Sequence, residues 1–273
     1  MPHMRQRKDV LYMDKKALLV VSFGTSFEET RRKTIDAVEN ELRQAFPERR
    51  FYRAWTSGMI RRKLRETENT VIPSVQEALE QMERDGVTDV LVQPTHLLLG
   101  AEYVRTEEII HANLHRFETV AVGAPLLCNR READHLAKSL EDIYAGLAET
   151  DMLVLMGHGS AQMVFPAYEE MARQFRRDGH ENICLGTVEF TPGIEPVLTC
   201  VRQYRPERVF LAPLLLVAGD HAANDMAGDR PDSWKNQLAA LGPQVICCVK
   251  GLGEYPAVRA MYVRHAMRAR NLL

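Results

Sequence analysis

The chain of 273 residues has no long apolar run. Nothing in it approaches the roughly 20 consecutive apolar residues of a membrane span, so a transmembrane helix is excluded from the reading. It also lacks a charge of one sign. Lys and Arg number 35 against 37 Asp and Glu, for a net charge of −2. That balance gives no electrostatic footprint for nucleic acid, and an acidic ligand has to be met by a local basic patch. There is no CxxC pair. Five scattered cysteines (Cys128, Cys184, Cys200, Cys247, Cys248) read as reduced, mostly buried thiols of a cytosolic protein, not as a disulfide framework. The opening MPHMRQRKDVLYMDKK is charged and has no apolar core of a signal peptide. Residues 1–14 are therefore expected to be a disordered extension, structure to begin at Lys15, and the chain to stay in the cytoplasm. GxGxxG, GxxxxGK[ST] and HExxH are all absent, which argues against a nucleotide site and a close-spaced zinc motif.

What the sequence does have is alternation. Apolar segments of strand length, such as KALLVVSF (16–23), TDVLVQPTHLL (88–98), DMLVLMGHGS (151–160) and ERVFLAPLLLVAG (207–219), are separated by amphipathic helical stretches. Ser26 and Glu29 predict a capping box opening one long helix to residue 46, and Pro73 and Gly86 bracket a second over 72–86. Strand–helix alternation implies parallel βαβ units with right-handed crossovers. At this length it predicts two domains of about 120 residues each. We place an N-terminal α/β domain at 15–128, a C-terminal one at 129–254, and a closing helix at 255–273. The halves read as a duplication: VVSFGTS (20–26) lies over VLMGHGS (154–160), and QPTHLLLGAEY (93–103) over APLLLVAGDHA (212–222). Two such halves would enclose a central cleft lined by the carboxyl ends of their strands, where open α/β sheets bind ligands.

Three chemically capable side chains fall at equivalent strand ends of the second half. His158 lies in GHGS, Glu189 in GTVEF and His221 in GDHAAND. A lone strand-end histidine is more often a structural hydrogen-bonder than a ligand. Two imidazoles and a carboxylate converging on one edge instead form a ligand set common for Zn²⁺, Fe²⁺, Co²⁺ and Ni²⁺. His96 ends a strand of the first half and is either structural or a further cleft group. Ser160 reads as a turn residue. Arg61, Arg62 and Lys63 read as a solvated helix face or an anion contact.

The residues also carry a resemblance. KKALLVVSFGTS, FYRAWTSGMIRRKL, GHGS, VEF, LLLVAGDHAANDMAGD with DSWK, and GLGEYPAVRAM together resemble the anaerobic, cobalt-early sirohydrochlorin cobaltochelatases, from about Lys15 to the C-terminus. The resemblance implies the class II chelatase fold, with two similar Rossmann-like halves and parallel sheets around a central cleft. It also implies ATP-independent insertion of Co²⁺ into sirohydrochlorin or precorrin-2 in cobalamin biosynthesis, with no cofactor beyond the substrate metal. Carried over by motif, the metal ligands are His158, Glu189 and His221, with His158 also the catalytic proton acceptor. An imidazole suits that role because it exchanges protons near neutral pH. Asp220 or Asp225 is expected to orient His221. For the tetrapyrrole we expect contacts from Ser22, Thr25, Ser57, Gly58, His96 and Gly219, with Arg53 or Arg61 meeting its carboxylates. Expected partners are the tetrapyrrole, a divalent metal and further copies of the chain, without nucleic acid or membrane. A chelatase for Fe²⁺ or Ni²⁺, a non-catalytic tetrapyrrole or metal carrier, and a solute-binding protein are the alternatives.

Overall fold

The computed structural model describes residues 15–162 and 164–273. The described residues divide into two compact units, 15–126 with 259–273, and 127–258. The proposed extension at 1–14 and Met163 lie outside the described residues.

In the first unit β1 (Lys16–Ser22), β2 (Arg50–Trp55), β3 (Asp89–Pro94) and β4 (Thr119–Val122) are parallel, and β9 (Arg270–Asn271) pairs antiparallel with β4. The order is β2-β1-β3-β4-β9. The second unit repeats it: β5 (Asp151–Gly157), β6 (Ile183–Thr187), β7 (Arg208–Leu214) and β8 (Gln244–Cys247) are all parallel, in the order β6-β5-β7-β8. The central strands explain the apolar runs. Ala17 to Val21 of β1 and all of β5 are buried, because helices cover both faces of a parallel sheet. β9 had no signal in the sequence, since two residues carry no period.

Helices connect the strands. The stretch read as one helix over 26–46 is two, α1 (Glu28–Lys33) and α2 (Ile35–Ala45), broken at Thr34. The Thr34 hydroxyl donates to the Thr30 carbonyl at 2.6 Å, a back-bond that bends helices. The capping box at Ser26 and Glu29 does not form: the Ser26 hydroxyl accepts from Lys63 and Glu29 pairs with Lys33. A capping box closes instead at Ser74 and Glu77, opening α4 (Val75–Arg84) after α3 (Gly58–Glu68). There follow α5 (Ala101–Ala112), α6 (Arg130–Ile143), α7 (Ala167–Arg177), α8 (Glu195–Tyr204), α9 (Trp234–Ala239) and α10 (Pro256–Met267). No described helix is long and apolar enough to cross a membrane.

One expectation about the cysteines is corrected. Cys184 on β6 and Cys200 on α8 are joined as a disulfide, and Cys128, Cys247 and Cys248 are free. Sequence spacing carries no sign of this pairing, which depends on α8 packing back on β6.

The duplication holds, with a one-residue shift at its first turn. Thr56 N–H donates to the Ser22 carbonyl (2.9 Å) and Ser57 N–H to that of Phe23 (3.1 Å). In the second unit Val188 donates to Gly157 (2.9 Å) and Glu189 to His158 (3.3 Å). Phe23 therefore corresponds to His158, and Ser57 to Glu189. Leu126 N–H to His96 O and Leu252 N–H to Leu215 O likewise match His96 with Leu215. The sequence overlay had set Gly24 on His158; backbone hydrogen bonds set Gly24 on Gly159, and both have positive φ (104° and 86°).

Candidate metal site

β6, β5 and β7 are neighbours, so the segments leaving their carboxyl ends emerge side by side. His158 follows β5 directly. Its turn is made possible by Gly159, whose φ of 86° is one that residues with a side chain rarely adopt. A Cβ there would stand 2.9 Å from Phe190 Cβ. Below the turn, the Gly159 N–H reaches toward the hydroxyl of buried Tyr168 at 3.5 Å. Burial pushes the Tyr168 phenol up to about 12, so it stays protonated.

Glu189 stands two residues beyond β6. Its loop is pinned by buried Thr187, whose hydroxyl donates to the Phe190 carbonyl and accepts from Gly193 N–H at 3.2 Å. The Glu189 N–H to His158 carbonyl bond then ties the two loops together.

His221 is not on a strand end. The apolar run 207–219 stops being a strand at Leu214, and His221 opens a π-helical turn over Ala222–Met226. Ala222 and Met226 are buried in the core of the second unit and anchor this turn. His221 Nδ1 lies 2.7 Å from Asp225 Oδ2, whereas Asp220 accepts from the Asn224 side chain at 2.9 Å.

The three side chains meet. His158 Nε2 is 3.4 Å from Glu189 Oε2, and His221 Nε2 is 3.6 Å from Glu189 Oε1. The two imidazoles lie edge to face with centroids 4.9 Å apart. One ligand atom from each residue falls within 4.8 Å of the others. Ligand atoms about 2.1 Å from one ion at tetrahedral angles stand about 3.4 Å apart, so the spacing fits a single cation. The side chains are 42%, 46% and 31% exposed, open enough to exchange a metal with solvent. Three ligands leave one tetrahedral position free, the arrangement of reactive rather than structural metal sites.

The remaining candidates are engaged within their own units. Ser22 is buried, and its hydroxyl accepts from Thr95 at 2.8 Å. The Thr25 hydroxyl accepts from the Phe27 N–H, and Ser57 caps α3 by accepting from Ile60. Gly58 is exposed at the start of α3, and Gly219 donates to the Val217 carbonyl. The ring nitrogens of His96 are shut off from solvent and have no hydrogen-bond partner among the described residues. The two arginines expected to meet carboxylates of the macrocycle hold carboxylates of the protein itself. Arg53 is clamped by Asp36 and Glu39, and Arg61 pairs with Glu77 at 2.8 Å. Among the described residues Ser160 bonds within its own turn, to Gln162. Thr187 and Tyr168, which hold the two loops, had no distinguishing signal in the sequence.

The family model described as Cobalt chelatase (CbiK) matches residues 16–271. The chain belongs to this cobalt chelatase family. A sirohydrochlorin cobaltochelatase of Salmonella typhimurium is 39% identical over 261 residues, covering 94% of this chain and 97% of that relative. Sirohydrochlorin cobaltochelatase CbiKC of Nitratidesulfovibrio vulgaris is 33% identical over 267 residues, covering 96% and 93%. Among solved structures, SirB from Bacillus subtilis with Fe³⁺ superposes with a TM-score of 0.65 at 17% identity, over 93% of this chain and 95% of that one. That last likeness concerns the fold, which is the class II chelatase fold expected from the sequence.

Proposed function

We propose that this protein is a sirohydrochlorin cobaltochelatase: it inserts Co²⁺, its substrate metal, into sirohydrochlorin without ATP. The observation that carries this reading is the His158–Glu189–His221 cluster, three donors at single-ion spacing within a chain of the cobalt chelatase family. The relatives named for the same reaction support it over nearly the whole length.

The chemistry asks for a metal on few, exchangeable ligands and a base for the pyrrole N–H protons. Two neutral imidazoles and a carboxylate hold Co²⁺ while leaving a position for an incoming pyrrole nitrogen. As each nitrogen binds the metal its proton must leave. His158 Nδ1 is turned to the neutral Gly159 carbonyl at 3.1 Å, so its Nε2 is the acceptor we assign. It gives up the metal to the pyrrole nitrogens, takes one pyrrole proton, and hands it to water from its half-exposed ring before taking the second. His221 and Glu189 are assigned as the remaining ligands. Gly58 and Gly219 stay as proposed backbone contacts to the macrocycle, along with the remaining sequence candidates.

The test is anaerobic incubation of purified protein with sirohydrochlorin and Co²⁺, Fe²⁺ or Ni²⁺ separately, followed by the tetrapyrrole absorbance change. Co²⁺ is expected to be inserted, and His158→Ala and His221→Ala each to slow insertion by about 100-fold or more in a folded protein. Near-wild-type insertion by both variants would remove the assigned site. Binding of the macrocycle without turnover would favour a carrier.

A further inference from the structure

We infer that Asp225 is a positioning residue that fixes the tautomer and ring plane of His221, so that Nε2 faces the metal as a lone-pair donor. The inference rests on reading the His158–Glu189–His221 cluster as a metal site.

A neutral imidazole carries one hydrogen, and its partner decides which nitrogen keeps it. Asp225 Oδ2 lies 2.7 Å from His221 Nδ1. An ionised carboxylate only accepts hydrogen bonds, so the hydrogen of the neutral ring sits on Nδ1. Nε2 is then a bare lone pair, 3.6 Å from Glu189 Oε1. In that tautomer both atoms are free to bind one cation. The short distance and the charge of the acceptor make this the stronger class of hydrogen bond.

The turn provides the geometry. His221 and Asp225 are four residues apart across the π-helical turn, and buried Ala222 and Met226 lock that turn to the core. Asp220, the other acidic candidate next to His221, accepts from Asn224 instead. The His158 ring is oriented in the same sense but more weakly, because its Nδ1 partner is a neutral carbonyl at 3.1 Å. A charged clamp on His221 and a neutral one on His158 suit an anchoring ligand beside a proton-accepting one.

The experiment uses the whole protein without tetrapyrrole. Co²⁺ is titrated anaerobically, and binding is read from the cobalt absorption bands in wild type, His221→Ala, Asp225→Ala and Asp225→Asn. Long-range ¹⁵N NMR of the histidine rings reads the tautomer, which a purely structural role for Asp225 would leave alone. His221→Ala should lose the site, and Asp225→Ala should weaken Co²⁺ binding by about 10- to 100-fold. Asp225→Asn, whose Oδ1 can still accept the same hydrogen, should fall between Asp225→Ala and wild type. In turnover, KM for Co²⁺ should rise in Asp225→Ala while KM for sirohydrochlorin holds. The hydrogen should leave His221 Nδ1 in Asp225→Ala. Loss of Co²⁺ binding in His221→Ala, with wild-type affinity in both Asp225 variants and an unmoved tautomer, would overturn the inference alone. Unchanged Co²⁺ binding in His221→Ala would overturn the metal-site reading and the inference with it.

Discussion

Phe23 in the first unit and His158 in the second occupy the same place in one repeated plan. Each follows the first strand of its sheet, and each accepts through its carbonyl from the residue two positions beyond the neighbouring strand, Ser57 or Glu189. Glu102 stands in the same way where His221 does, two residues after matched glycines whose carbonyls accept from Val104 and Ala223. The backbone bonds are indifferent to side chains and survive in both copies. The ligand set is not indifferent, and two imidazoles and a carboxylate stand together in the second copy alone among the described residues.

The His158 turn depends on a residue without a side chain. At Gly159 an added methyl meets Phe190 Cβ at 2.9 Å and Thr187 Cβ at 3.2 Å, on top of a φ of 86°. Gly159→Ala is therefore expected to cost about 1–3 kcal/mol in denaturant unfolding and to abolish cobalt insertion, because it displaces both the His158 and the Glu189 loops. Gly86→Ala is the control. Its φ is also positive (76°), but nothing lies within 4 Å of the new methyl, so it should lose stability and keep activity. Wild-type turnover in Gly159→Ala would contradict this account of the turn.

His96 is expected to make the protein acid-sensitive. Burial alone pushes its imidazole down to about 4. The folded protein thus holds it neutral where the unfolded chain, titrating near 6.5, takes up a proton. As pH falls from 6.5 toward 4 the unfolded state binds more protons and stability declines. His96→Leu, which places there the residue found at the matched Leu215, should flatten that decline. Urea midpoints measured between pH 7 and pH 4 would show it, and parallel curves for the two proteins would refute it.

Asp151 acts in the same direction as His96, over a lower pH window. Its side chain is fully buried and takes two hydrogen bonds from Arg208, each 2.7 Å, and one from the Ala148 N–H. The Arg208 bonds hold its carboxyl below the ordinary value of 3.8. A depressed carboxyl stabilises the fold above that ordinary value, and the benefit is lost as pH falls through the depressed one. Asp151→Asn should melt well below wild type at pH 7. The gap between the two Tm values should narrow on acidification below about pH 3.8. A constant gap from pH 7 to pH 3 would exclude the ion pair as its source.

The sequence by itself determined the strand–helix alternation, the two-fold repeat, the family, and the identity of His158, Glu189 and His221 as the ligand candidates. These follow from local signals: a period of apolar residues, short runs of donors, and motifs long enough to be specific. Tertiary structure decided what depends on partners distant along the chain. The ladder bonds shifted the repeat by one residue and placed Phe23 on His158. Packing of α8 on β6 brought Cys184 to Cys200, and β4 recruited the two residues of β9. Arg53 and Arg61, free cations on paper, are held by Asp36, Glu39 and Glu77. The choice of Asp225 over Asp220 came from a π-helical turn that no periodicity announces. Hydrophobic period is written residue by residue, whereas a hydrogen bond's partner is settled only when the chain folds back on itself.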